Sequence, residues 1–239
     1  MDLSERQQQI LLAIISEFIS SEDSVGSEVV TNKYNISASP ATIRYEMVRL
    51  SEKGLLTKNY ASAGRIPTAM GIRYYLNSLM DSPEVDVLLE VRLKQLIHKL
   101  RYERDKLIKE ILMLLVETTK SATLIITQSG MTYAGIYNLL DQYDSKEDIK
   151  DILLLLDDPN ILRDMLSENA TNDEVKVLIG EETKYKSLSQ SSLIYTCISI
   201  QNNEPIIIAT IGSKRANYSE IIPVMRLLVS TIEQKNTGW

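Results

Sequence analysis

Ile36-Ser37-Ala38-Ser39-Pro40-Ala41-Thr42-Ile43-Arg44-Tyr45-Glu46-Met47-Val48-Arg49-Leu50 is the stretch that decides the fold of the N-terminal part, because it writes one helix with a marked start and two unlike faces. Ser39 is placed to cap the free amide groups of the first turn. Pro40 takes the first helical position, where a missing N–H costs nothing. On a 3.6-residue wheel Ile43, Met47 and Leu50 share one stripe. Ala41, Tyr45, Val48 and Arg49 point the other way, with Thr42 and Arg44 on the flanks. The outward face is small at its N-terminal end and basic and aromatic further on, which suits a helix entering a DNA major groove end-first.

Working outward, Leu3 to Ser20 reads as a first helix with Ser4 as its cap and Ile10, Leu11, Ile14 and Phe18 at helical spacing. A short second helix follows Val25-Gly26-Ser27, with Val29, Val30 and Tyr34 as its buried side. Three short helices in about 50 residues, the last one outward-basic, make a helix-turn-helix core. After Lys53-Gly54, Leu55 to Tyr60 has strand character. Ala61-Ser62-Ala63-Gly64-Arg65-Ile66-Pro67 then reads as a small-residue loop with Arg65 at its tip, returning to a helix capped at Thr68 that carries Tyr74, Tyr75 and Leu79. This is the layout of a winged helix, in which Arg65 reaches a minor groove or a phosphate. Tyr74 and Tyr75 are expected to pack inward.

Charge is distributed to match. The 239 residues carry a net −6, but residues 1–80 are neutral, and Ala38 to Met80 holds six Lys/Arg against Glu46 and Glu52. A local excess of positive charge on an acidic chain binds phosphate, with weak long-range steering and strong salt dependence. Pro83 to about Lys120 reads as a long helix, interrupted by charge around Lys99 to Lys106, that connects domains or pairs with its own copy. Beyond it strands and helices alternate. Strands are expected at Ala122 to Thr127, Thr132 to Tyr137, Glu174 to Ile179, Ser192 to Ile200 and Pro205 to Ile211. Helices are expected at Lys146 to Leu156, Ile161 to Asn169 and Tyr218 to Gln234. The class is α+β rather than a doubly wound sheet.

Enzyme chemistry finds little support. One Cys197 and one His98 cannot make a tetrahedral zinc site of the common kind, and neither has a catalytic partner in sequence. Ser187, Ser189, Ser191 and Ser192 read as a polar loop. Gly212 to Asn217, ahead of the last helix, is explained by capping as well as by anion binding. No metal, cofactor or catalytic residue is expected. Without an apolar run of membrane-spanning length, a signal-peptide pattern or a cysteine pair, the cytoplasm is the expected compartment.

The chain resembles the HrcA family of bacterial heat-inducible transcription repressors. The likeness rests on Leu3-Ser4-Glu5-Arg6-Gln7, Val25-Gly26-Ser27, Ser39-Pro40-Ala41-Thr42-Ile43-Arg44, Glu46-Met47, Gly54-Leu55-Leu56 and Ser62 to Thr68 with Gly71, Arg73-Tyr74-Tyr75 and Leu79-Met80. It continues in Ile179-Gly180-Glu181-Glu182, Ser191-Ser192-Leu193 and Ile211 to Tyr218. The resemblance implies a winged helix-turn-helix domain at residues 1–80, a connecting helix at 81–121 and a GAF-like regulatory or dimerisation domain at 122–239. It also implies repression of chaperone operons through an inverted repeat called CIRCE, bound by a homodimer and modulated by the chaperonin GroEL. The segment that family members insert into the GAF-like domain, which helps dimerise them, is missing here: Ile125-Ile126-Thr127 is followed almost at once by Met131 to Leu140. The residues expected to contact double-stranded DNA are Ser39, Ala41, Thr42, Arg44, Tyr45, Arg49 and Arg65. A different reading makes the GAF-like half a small-molecule sensor that sets DNA affinity.

Overall fold

The structure, a computed structural model, describes residues 2–20, 24–58, 64–81, 83–167, 174–200 and 204–236, with side chains up to 234. It divides into two compact units, Met1–Asp81 and Ser82–Trp239.

In the first unit, α1 (Glu5–Ser20), α2 (Ser27–Tyr34) and α3 (Pro40–Glu52) are followed by the short strands β1 (Leu56–Thr57) and β2 (Ile66–Pro67) and by α4 (Ala69–Ser78). The apolar stripes expected for α1 and α3 make the core, and Leu55 and Ile72 join them. Ile10, Ile14, Ile43, Leu50, Leu55 and Ile72 are fully buried, each contributing about 1.5–3 kcal/mol of transfer free energy. Ser4 closes the start of α1 in both directions: Gln7 N donates to Ser4 Oγ, and Ser4 N to Gln7 Oε1. Tyr75 is buried and Tyr74 is half-buried, its hydroxyl accepting from Gln8 Nε2 at 3.4 Å. Val29 departs from the expectation. It is 42% exposed while Val30 is fully buried, because an eight-residue helix packs only a narrow stripe and adjacent positions lie 100° apart on it.

A buried carboxylate ties α1 to α2. Glu17 Oε1 accepts from Tyr34 Oη at 2.6 Å and pairs with Lys33 Nζ at 2.5 Å. The Lys33 and Tyr34 hydrogen bonds hold the Glu17 carboxyl below its ordinary 4.5, and burial together with that carboxylate pushes Tyr34 up to about 12. The lowered group stabilises fully above the unfolded carboxyl value and loses that contribution as pH falls through its folded value. The raised group stabilises fully below the unfolded tyrosine value and loses its contribution as pH rises toward 12. The protection of α1 and α2 amides, taken relative to the intrinsic exchange rate at each pH, should therefore be greatest in the neutral range and should fall on both sides. Glu17→Gln should flatten the acid limb; an unchanged acid limb in that variant would contradict the assignment.

In the second unit the helices α5 (Val87–Lys99) and α6 (Arg104–Thr119) lead into a five-stranded antiparallel sheet. Its strands are β3 (Ala122–Thr127), β4 (Gly130–Ala134), β5 (Lys176–Ile179), β6 (Ser191–Ile198) and β7 (Ile206–Ser213), in spatial order β4-β3-β7-β6-β5. Between β4 and β5 lie a 3-10 segment (Ile136–Asp141), α7 (Lys146–Leu156) and α8 (Pro159–Ser167), and α9 (Tyr218–Asn236) follows β7. One sheet face, with Leu124, Ile126, Leu193, Tyr195 and Ile211, packs on Leu139, Ile152, Leu155, Leu162 and Leu166. α6 and α9 pack against β3 and β6, and α5 packs on both of those helices. The central strands β6 and β7 are thus covered on both faces, and their sequences run almost continuously apolar instead of alternating.

Three expectations need correction in this unit. The single connecting helix is two helices, because the apolar positions Leu93, Ile97 and Leu100 have no successor until Leu107. A straight continuation would carry Glu103 and Arg104 along the buried stripe, so the chain turns at 100–103 and starts a second stripe at Leu107, Ile108 and Ile111. The strand expected over Thr132 to Tyr137 stops at Ala134, because Gly135 adopts φ +78°, where a Cβ would meet Val116 Cγ1 at 2.7 Å, and a 3-10 turn follows. Ser191 is a buried strand residue rather than a loop residue, and Ser192, the expected first residue of that strand, is buried beside it. Ser191 Oγ accepts from Tyr143 Oη at 2.9 Å, and Ser192 donates to Ser213 O at 2.9 Å.

Candidate DNA-binding face

The start of α3 is fixed as its sequence dictates. Ser39 is extended at φ −68°, ψ 154°, and its Oγ accepts from Thr42 N at 3.2 Å, with Pro40 opening the helix. Thr42 Oγ1 lies 2.9 Å from Ser39 Oγ, so this half-buried hydroxyl is tied into the cap. Ile43, Met47 and Leu50 are buried, and Ser39, Ala41, Arg44, Tyr45, Val48 and Arg49 are exposed. Six of the seven residues named from sequence are therefore gathered on one helix and its N-cap, five of them solvent-facing. The Arg49 guanidinium lies 5.4 Å from the Tyr45 ring centroid. The planar cation is thus partly oriented before any partner arrives, which lowers the conformational cost of a bidentate contact.

The acidic member of the helix is turned to internal use. Glu46 is half-buried, and its Oε2 accepts from Gln7 Nε2 at 2.9 Å. Gln7 Oε1 in turn accepts from Lys53 Nζ at 3.3 Å. The carboxylate that would repel phosphate is thus engaged by α1, and α3 is held at both ends of one network. Nothing in the sequence links Gln7 to Lys53. Only the packing of α1 on α3 brings them together, and the one local hint was Gln7 at the third position after the Ser4 cap.

Arg65 is not at a loop tip. Its backbone N and O each pair with Val25 at 2.9 Å, an isolated antiparallel bridge that places it at the base of the loop with its residue half-buried. The preceding loop, including Ala61 to Ala63, lies outside the described residues. The bridge adds a third segment beside β1 and β2, where Leu56 faces Pro67 and Thr57 faces Ile66. A residue with both backbone groups committed to a bridge cannot stand at a free apex.

The other residues singled out from the sequence lie away from this helix in the chain. His98 is exposed and Cys197 half-buried. Lys214 pairs with Glu181 at 3.6 Å and Arg215 with Asp144 at 3.7 Å. Arg215 N donates to Ser213 Oγ, and Asn217 O accepts from the first-turn amides of Glu220 and Ile221. Residues 213–217 thus cap α9. Among the described residues no three His, Cys, Asp or Glu side chains group to hold a metal ion, and no helix is long and apolar enough to cross a membrane.

An α+β protein of two units, one of which presents a capped, basic, solvent-facing helix on a three-helix scaffold, is the class these observations define. A family model described as "HrcA protein C terminal domain" matches residues 70–222. The chain belongs to the HrcA family, whose members are transcription repressors and not enzymes. The heat-inducible transcription repressor HrcA of Clostridium acetobutylicum is 35% identical over 163 residues, covering 68% of this chain and 43% of that protein. Its namesake in Clostridioides difficile is 30% identical over 225 residues, covering 93% of this chain and 63% of the relative. The chain thus spans less than two thirds of the length of these two relatives. With the Clostridium botulinum repressor, 25% identical, the alignment covers 97% of both chains over 337 positions, about a hundred more than this chain has residues. A solved structure titled "Crystal structure of a hypothetical protein at 2.2 A resolution" shares the fold with a TM-score of 0.78 at 20% identity, over 99% of each chain.

Proposed function

We propose that the first unit is a winged helix-turn-helix DNA-binding domain spanning residues 1–80, and that the chain represses heat-shock chaperone operons by occupying a CIRCE-like inverted repeat as a homodimer in the cytoplasm. The observation that carries this reading is the outer face of α3. It is small at Ala41, cationic at Arg44 and Arg49 and aromatic at Tyr45, while its acid Glu46 is hydrogen-bonded to α1. The relatives, heat-inducible transcription repressors by name, support the repressor role. In this reading Ser39 and the first-turn amides meet backbone phosphate, and Ala41 and Thr42 allow close approach at the groove floor. Arg44, Tyr45 and Arg49 reach base edges and phosphates, and Arg65 touches the flanking backbone. Residues 122–239 form a GAF-like regulatory domain on which α5 and α6 pack, and a GroEL-type chaperonin acts on it. Repression is by occupancy and needs no chemistry.

Gel shifts on an inverted-repeat duplex and on a scrambled one test the assignment. Arg49→Ala should weaken specific binding by about 1–3 kcal/mol and reduce discrimination between the duplexes. Arg65→Ala should weaken both complexes to a similar extent and lower the salt dependence. Undiminished binding in both variants would sink the assignment.

A further inference from the structure

α5 leaves a stripe, apolar at its N-terminal end and polar further on, uncovered on its own unit. Leu88 is 75% exposed and Val91 44%. With Gln95 and His98, both exposed, they recur at intervals of three, four and three, the spacing of a helix-pairing seam. Beside the seam runs an open groove between α5 and α6, lined by Arg92, Leu96 and Lys99 on one side and Glu110, Met113 and Glu117 on the other. Met113, 55% exposed, and the buried Leu114 also line it, and Arg92 Nη2 meets Glu117 Oε2 at 2.8 Å across it. One side is basic and the other acidic, with apolar Leu96, Met113 and Leu114 among the charges. A two-fold axis sets the basic rim of one copy against the acidic rim of another, so the surface is complementary to itself. Glu110 and Glu117 make the same surface unfavourable for nucleic acid and for an anionic membrane.

We infer that the α5–α6 hairpin is a dimerisation surface whose occupant is the same hairpin of a second copy of this chain, with Leu88 and Val91 at the seam and the charged rims fixing the orientation. The inference rests on the homodimeric repressor reading above and supplies the contact that holds the two copies together.

Sedimentation equilibrium of the full chain at tens of micromolar, without DNA, tests it with two surface variants. Arg92→Glu/Lys99→Glu makes both rims acidic, and Glu110→Lys/Glu117→Lys makes both basic. All of these positions lie on the groove rims, with Arg92 and Glu117 more than half exposed, so thermal melts should confirm folding. The wild type should sediment as two copies rather than the 27.1 kDa of one. Each variant alone should sediment as one copy, and an equimolar mixture should return to two. Leu88→Asp should give the single-copy mass by an independent route. The inference is overturned if the wild type is a single copy, if either charge variant or Leu88→Asp keeps the two-copy mass, or if the mixture fails to pair. A wild type that binds the inverted repeat as two copies while the variants stay paired would remove this surface and leave the DNA reading intact. Loss of pairing in the variants beside a wild type that ignores the duplex would do the reverse.

Discussion

Ala41→Glu should abolish specific DNA binding, by ~100-fold or more, while leaving the melting temperature of the chain unchanged or slightly raised. The two effects separate because Ala41 is solvent-exposed and sits in the first turn of α3. A carboxylate there complements the partial positive charge of the helix N-terminus, an effect of about 0.3–1 kcal/mol. It touches nothing in the core. Facing a duplex, the same carboxylate meets phosphate at the point of closest approach, and like-charge juxtaposition in an interface costs several kcal/mol, of which ~3 kcal/mol already corresponds to roughly 100-fold. Fluorescence anisotropy with the inverted-repeat duplex and a parallel thermal melt read both quantities. If the variant binds as tightly as the wild type, α3 does not enter the groove by its N-terminal end.

Gly71→Ala should destabilise the first unit strongly, reversing the usual gain of about 1 kcal/mol for this exchange within a helix. A Cβ at position 71 would stand 2.2 Å from Leu55 O and 3.1 Å from Leu55 C, both backbone atoms. That carbonyl is held in place by Thr68 N at 3.0 Å, and Thr68 Oγ1 donates to Gly54 O at 2.6 Å while accepting from Gly71 N at 3.1 Å. No side chain can rotate away to relieve the overlap. α4 must separate from the segment entering β1, at a cost of about 3 kcal/mol or more, or a fall of roughly 10–20 °C in the melting temperature of a unit this size. Thermal melting, with hydrogen exchange followed at α1 and α3 amides, measures the loss. An unshifted transition would mean that the close contact between α4 and Leu55 is not a feature of the folded chain.

How much of this was legible in the sequence depended on how local the cause was. The start of α3 and the division of its faces follow from Ser39-Pro40 and from the spacing of Ile43, Met47 and Leu50, all within one helix, and the structure places these residues as that pattern requires. The antiparallel α+β character was likewise readable from the apolar runs that became β3, β6 and β7. What the sequence concealed were pairings between distant segments. Arg65 looked like a loop tip because its flanks are small, yet it is pinned by Val25 forty residues earlier. The Gln7–Glu46–Lys53 network spans a similar range, and no local pattern joins its members. The turn at 100–103 left a visible mark, the charged interruption, but only the stripe restarting at Leu107 shows that the helix folds back.

The central claim is that this chain reads a two-fold DNA sequence through the exposed face of α3, and titration of a labelled CIRCE-like duplex against its scrambled counterpart at the same ionic strength tests it most directly. The wild-type chain should prefer the inverted repeat by at least ~10³-fold, the lower bound of specific recognition, with two chains per duplex at saturation. Equal affinity for both duplexes, falling in parallel as salt is raised, would reduce the basic face of α3 to a non-specific cation surface and contradict the account.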